Sequence, residues 1–159
     1  MHTPPLLHAA DWYGPALGAL AFIVAMARLS EPTRCRLNAV LVAGASGVYL
    51  SGGFGPFELL YPAAVTAVCY RACWPASGAA TSAYRCIGLA WLLHAAWDLA
   101  HHLYGNPIWP FMPTSSFGCL IFDMLIALWF LAGAPSPRFT VAPQQRPGSA
   151  LRAGDRSAA

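Results

Sequence analysis

Three histidines and one aspartate at helical spacing are the residues of this chain best suited to chemistry. They lie in the segment His94-Ala-Ala-Trp-Asp98-Leu-Ala-His101-His102. Side chains four residues apart share one face of a helix, so His94, Asp98 and His102 form a column. His101 lies beside Asp98, three residues away. Imidazole and carboxylate groups act as general acids and bases and also bind divalent metals. The spacing therefore predicts one reactive surface along a single helix.

The rest of the chain is apolar enough to predict a membrane protein. Of its 159 residues, 57% are hydrophobic and only 9% are charged, and the mean hydropathy is +0.50. A typical soluble domain has about 25% charged residues. A charge near the bilayer centre costs at least ~2.5 kcal/mol on insertion scales, so ionisable groups inside a span are expected to be functional.

Five apolar segments have nearly the length of a transmembrane helix, which needs about 20 mostly apolar residues. The predicted spans cover residues 12–29, 37–53, 56–70, 83–104 and 115–134. We therefore expect an all-α integral membrane bundle of five transmembrane helices within residues 1–134. Residues 135–159 are rich in Pro, Gly, Ser and Arg without periodicity, which predicts a disordered basic tail.

The arginines predict the orientation of this bundle. They flank the first and third connections and occupy the tail, at positions Arg28, Arg34, Arg36, Arg71, Arg85, Arg138, Arg146, Arg152 and Arg156. The second and fourth connections carry no charge. Under the positive-inside rule, the N-terminus lies outside and the C-terminus is cytoplasmic. Abundant alanine and the absence of lysine are typical of a bacterial coding bias, so we expect a multi-pass protein of the bacterial inner (plasma) membrane.

Two further acids fall at the depth of the histidine segment in this topology. Glu58 lies near the outer end of the third span, and Asp123 lies roughly 12 Å below the outer end of the fifth. The arginines are on the opposite side, so these acids need a proton, an imidazolium partner or a bound cation. The candidate catalytic residues are Asp98, His94, Asp123 and Glu58. The candidate ligands of one divalent metal ion are His94, Asp98, His101 and His102.

These residues predict a pocket that opens outward between the third, fourth and fifth spans, with Asp98 at its centre. The connection over residues 105–114 is uncharged, apolar and stiffened by three prolines. Irregular backbone does not face lipid, so this connection is expected at the interface or on the outer mouth of the bundle.

The segment 94–110, together with Ser115-Ser-Phe-Gly118 and Asp123, resembles a family of small bacterial integral membrane proteins catalogued as a domain of unknown function. The resemblance covers nearly the whole chain up to the tail. It implies a multi-pass membrane protein and brings no established activity, substrate or cofactor.

Several functional classes stay open at this point. The chain could be an enzyme acting on a lipid-like small molecule, by acid/base chemistry or through one metal ion that activates water. Alternatively, the same cluster would bind or transport protons or cations, or the chain would be a structural membrane subunit. The expected partners are membrane lipids and an apolar small-molecule ligand, without nucleic acid. An oligomer is compatible with the sequence.

Overall fold

A computed structural model of the chain describes residues 5–47, 54–73 and 80–136. These residues form five α-helices, α1 (Ala9–Ala27), α2 (Glu31–Ser46), α3 (Phe57–Cys73), α4 (Ala80–Tyr104) and α5 (Ser115–Leu131). No strand occurs in these ranges, where the only extended pairing is an isolated bridge between Trp109 and Met112. The prediction of an all-α fold with five helices is confirmed.

The helix boundaries follow local signals that hydropathy does not register. Helix α2 begins at Glu31, six residues before the predicted apolar segment, and a proline occupies its first turn. After α5 the chain turns at Gly133, whose φ of +88° favours glycine. Residues 48–53 of the predicted second span and residues 137–159 of the predicted tail lie outside the described residues.

Helix α4 is at the centre of the bundle, in contact with α2, α3 and α5, while α1 packs on α5 and α2 on α3. Its two halves differ in chemistry. The N-terminal half contributes Ile87 and Trp91 to an apolar core shared with Ile126 and Phe130 of α5. The C-terminal half contains the histidine segment. This arrangement places the polar groups next to a packed apolar layer that fixes the helices around them.

By length and composition, α1 is the one described helix that could cross a membrane, and α5 is apolar but shorter. The bundle also exposes apolar side chains and buries polar ones. Large apolar side chains are exposed on all five helices, among them Leu17, Leu20, Val40, Leu59, Leu60, Leu89, Leu93, Leu99 and Leu128. The buried side chains include many polar ones, among them Asn38, Glu58, His94, Asp98, His101, Ser116 and Asp123. The buried polar groups are the more informative of the two features, because single exposed leucines occur on most proteins.

Candidate functional site

Two neighbouring helices bring His94, Asp98 and Asp123 together in the interior, and we call these three residues the His94 centre. The imidazole Nε2 of His94 lies 3.6 Å from Oδ2 of Asp123 on α5. The same nitrogen lies 4.0 Å from Oδ1 of Asp98, one turn further along α4. One ligand atom from each residue lies within 4.8 Å of the others. All three side chains are buried, with exposed fractions of 2%, 0% and 4%.

Tyr61 of α3 completes the surroundings of the imidazole. Its hydroxyl lies 2.8 Å from Nδ1 of His94, at hydrogen-bonding distance. Its ring stacks on Trp97, with ring centroids 4.5 Å apart. The hydrogen bond at Nδ1 orients the ring so that Nε2 faces the two carboxyl groups. Tyr61 was not a sequence candidate. Its only sequence signal is a position three residues after Glu58, which puts it on the same face of α3.

The donor set of the His94 centre suits one divalent cation. A metal ion at 2.0–2.2 Å from each ligand separates tetrahedral ligand atoms by about 3.4 Å. The observed 3.6 Å between His94 and Asp123 is close to that separation. One carboxyl oxygen of Asp98 and one of Asp123 also lie within 4.8 Å of each other. Two buried carboxyl groups side by side therefore hold either a proton or a cation.

Glu58 and His101 form a second pair, which we call the outer pair. Oε1 of Glu58 lies 3.5 Å from Nε2 of His101 and accepts a 3.0 Å hydrogen bond from the backbone N–H of Phe54. Nδ1 of His101 lies 3.3 Å from the carbonyl oxygen of Asn106, which follows α4. His101 is seven residues from His94, so the two imidazoles are about 10 Å apart along the helix axis.

Most of the residues predicted from the sequence as site residues are divided between the His94 centre and the outer pair. The structure brings His94, Asp98 and Asp123 together and pairs Glu58 with His101. The ring of His102 packs against Phe117 of α5 at a centroid distance of 5.3 Å. In the part of the chain that the structure describes, the three-residue metal-ligand group contains neither His101 nor His102. Two of the four predicted metal ligands, His94 and Asp98, therefore belong to this group, together with Asp123.

A cavity of about 330 Å³, which we call the inner cavity, reaches the His94 centre. His94 and Asp123 contribute to its wall. The other wall residues are mostly apolar and include Phe22, Leu41, Trp91, Ile108, Trp109 and Phe122. The cavity thus lies between α1, α2, α4 and α5, and the connection over residues 105–114 covers it. The sequence placed the pocket between the third, fourth and fifth spans instead. Helix α3 contacts the His94 centre through Tyr61, at the Nδ1 edge of the His94 ring.

A family described as a family of unknown function, DUF6010, matches residues 11–136. No curated protein and no solved structure shows significant similarity to the chain. The matched range runs from α1 through the whole of α5, so it contains the His94 centre, the outer pair and the inner cavity.

Proposed function

We propose a function from the site itself, because this chain belongs to DUF6010, a family of unknown function. The proposal is an integral membrane enzyme that acts on a lipid-like small molecule at the His94 centre. One observation carries it: His94 and Asp123 are buried at the wall of an otherwise apolar cavity of about 330 Å³. Small-molecule sites have this character, with a volume of roughly 300–1,000 Å³, mostly apolar walls and a few convergent polar groups.

The membrane location is supported by the surface of the bundle and by its basic residues. A soluble monomer rarely exposes large contiguous apolar patches, whereas lipid solvates such faces. Arg34 contacts the backbone of Ala27 and Ala134 and the hydroxyl of Tyr84. The C-terminal ends of α1 and α5 and the N-terminal ends of α2 and α4 therefore meet at one end of the bundle. We propose that this arginine-bearing end is cytoplasmic and that the N-terminus and the histidine-rich end face outward.

In this proposal Nε2 of His94 and the carboxylates of Asp98 and Asp123 hold one divalent metal ion. Such an ion supplies a Lewis acid or an activated water at neutral pH. Two carboxylates balance its charge in a site without a described basic side chain. If no ion is held, the same residues perform acid/base chemistry: the protonated carboxyl group donates and the imidazole accepts.

Elemental analysis of the purified full-length protein separates these two chemistries. The variants Asp123→Asn and His94→Gln remove ligand atoms, and Glu58→Gln alters the outer pair as a matched control. Metal at about one ion per chain in the wild type and in Glu58→Gln, with loss in the other two variants, supports the metal centre. If the wild-type protein contains no metal, the metal centre is rejected and acid/base chemistry remains.

Enzymatic activity is tested by the lipid composition of cells that express the protein. Lipid extracts from cells with the wild type and with Asp123→Asn are compared by mass spectrometry. An enzyme changes the amount of at least one lipid-like species only when Asp123 is intact. Identical extracts would contradict the proposal.

Proton or cation transport is the second candidate function, and the outer pair is the observation in its favour. Buried ionisable groups extend from Glu58 and His101 through Asp98 to His94, which gives a polar column about 10 Å long. Flux of protons or divalent cations into vesicles that contain the protein, lost in Glu58→Gln, would favour transport over catalysis.

A further inference from the structure

We propose that the protein binds a neutral single-chain alcohol in two adjoining cavities along α5, with its hydroxyl group at the His94 centre. This inference rests on the proposed function, because it names the substrate class of the same centre. It follows from the position of a second cavity, from the wall that the two cavities share, and from the charges at their ends.

The second cavity, which we call the outer cavity, measures about 440 Å³ and lies between α1, the connection over residues 105–114 and the start of α5. Asp11 and Thr114 are part of its wall. The Thr114 hydroxyl donates a 2.8 Å hydrogen bond to Oδ1 of Asp11, and the backbone N–H of His8 donates to Oδ2. These bonds tie the connection to α1 and place a carboxylate at the outer end of the cavity.

The two cavities share three wall residues, Trp109, Cys119 and Phe122. Cys119 lies one helical turn before Asp123 on α5, so their Cα atoms are about 6 Å apart along the axis. Ser115, at the outer cavity, lies two turns before Asp123, at about 12 Å. The cavities therefore follow α5 in series from the end of the connection to the His94 centre, on either side of the wall that they share. A long and narrow ligand would pass this wall to occupy both.

The walls and ends restrict the chemistry of that ligand. Apolar side chains form most of both walls, so the body of the ligand is a hydrocarbon chain. At the inner end, His94 and Asp123 offer hydrogen bonds to one polar group. In a centre without a metal ion, an anionic headgroup would meet Asp123 and Asp98 at the inner end, and like charges repel. In a centre that holds an ion, the two carboxylates already balance its charge, so a second anion leaves the buried site with an excess negative charge. At the outer end an anion would meet Asp11. A neutral hydroxyl group meets none of these costs.

Photo-crosslinking with an analogue of 1-decanol that carries a diazirine in its chain tests this inference. The full-length protein is reconstituted in phosphatidylcholine bilayers, and labelled peptides are mapped by mass spectrometry. We expect labelling of residues 105–122, reduced about tenfold by 1-decanol at ten times its dissociation constant. Decanoate at the same concentration should compete much less. Labelling of lipid-facing Leu59 and Leu60 should not respond to either competitor.

Substitution at Cys119 gives the matched pair of variants. Cys119→Trp fills both cavities and should abolish the competed labelling, whereas Cys119→Ser should retain it. If Cys119→Trp does not fold, modification of the folded wild type with decyl methanethiosulfonate blocks the same place, and Cys119→Ser controls for the other thiols. Labelling that 1-decanol does not displace, or that persists in the blocked protein, overturns the inference.

The outcome separates this inference from the proposed function. If 1-decanol reduces the labelling but no lipid change depends on Asp123, the alcohol-binding site is supported and the proposed enzymatic function is contradicted. If a lipid change depends on Asp123 but 1-decanol does not reduce the labelling, the enzymatic function is supported and the single-chain alcohol is rejected as its substrate class.

Discussion

The two nitrogens of His94 have different partners, and this difference decides what the imidazole can do. Nδ1 faces the Tyr61 hydroxyl at 2.8 Å, and Nε2 faces the carboxyl groups of Asp98 and Asp123. The Tyr61 hydroxyl therefore fixes the ring at Nδ1, and Nε2 can bind a metal ion or exchange a proton with a carboxyl group. The same arrangement presents Nε2 as a metal ligand or as a proton carrier beside a carboxyl group.

Tyr61→Phe removes the hydrogen bond at Nδ1 and leaves the ring in place. If a metal ion is held at Nε2, we expect its affinity to fall by about 10–100-fold, the usual cost of losing a partner behind a histidine ligand. Competition with a chelator of known affinity measures this change. Tyr70→Phe on the same helix is the control, because Tyr70 is 65% exposed. Equal affinities in the two variants would show that Tyr61 does not position the imidazole.

Arg34 is a buried cation whose hydrogen-bond acceptors, in the part of the chain that the structure describes, are carbonyl and hydroxyl oxygens. It is 5% exposed, and its guanidinium donates to the carbonyl oxygens of Met26, Leu29 and Ala134. It therefore satisfies carbonyl groups at the ends of α1 and α5, which have no partner within their helices. The planar fork of an arginine can serve these acceptors together, and a lysine ammonium cannot.

Arg34→Lys keeps the charge and loses the fork, so we expect the free energy of unfolding to fall by about 2–4 kcal/mol. Thermal unfolding in detergent, followed by circular dichroism, measures the change. Arg36→Lys is the matched control, since Arg36 lies two residues away on α2 and is exposed. Similar melting temperatures for the two variants would contradict a structural role of the buried guanidinium.

At the scale of helices, the contact between α4 and α5 depends on Gly88. A Cβ atom at this position would lie 2.8 Å from Cγ of Leu131 and 3.1 Å from its backbone nitrogen. The backbone cannot move aside as a flexible side chain can, so α5 would have to shift. Because α5 contributes Asp123, the same shift would change the geometry of the His94 centre.

Gly88→Ala should therefore destabilise the protein by about 1–3 kcal/mol through overpacking. Gly44→Ala is the control, because a Cβ atom there meets nothing within 4 Å, and alanine favours a helix by up to about 1 kcal/mol. Melting temperatures of both variants in the same detergent provide the comparison. A fall at position 44, or none at position 88, would contradict this account of the helix contact.

The sequence was sufficient to predict the five helices but not to predict which helices contact each other. Apolar segments indicated five helices, and the period of the α-helix indicated that His94 and Asp98 share a face. Tyr61 and the cavity walls depend on which helices pack together, and no local pattern encodes that. The predicted second span also began six residues inside α2, since hydropathy responds to apolar character, whereas the first turns of α2 are polar and include a proline.

For the whole molecule, the buried polar residues and the exposed apolar ones have a common physical reason in the proposed membrane. Lipid removes the penalty for exposed leucines, and the same low dielectric raises the cost of every unsatisfied interior charge. The interior polar groups are accordingly arranged in local sets: Arg34 with carbonyl oxygens, Asn38 with the indole of Trp91, and the His94 centre. The arginine-bearing end and the histidine-rich end then face different compartments.

This orientation predicts which positions are accessible from outside an intact cell. Asn106 follows α4 at the histidine-rich end, and Arg36 lies at the arginine-bearing end. A membrane-impermeant maleimide should label Asn106→Cys in intact cells and should label Arg36→Cys only after the membrane is permeabilised. The wild type gives the background from its native cysteines. Labelling of Arg36→Cys alone in intact cells would invert the topology, and recovery of the protein in the soluble fraction after lysis would contradict a membrane bundle, because lipid-facing leucines would then contact water.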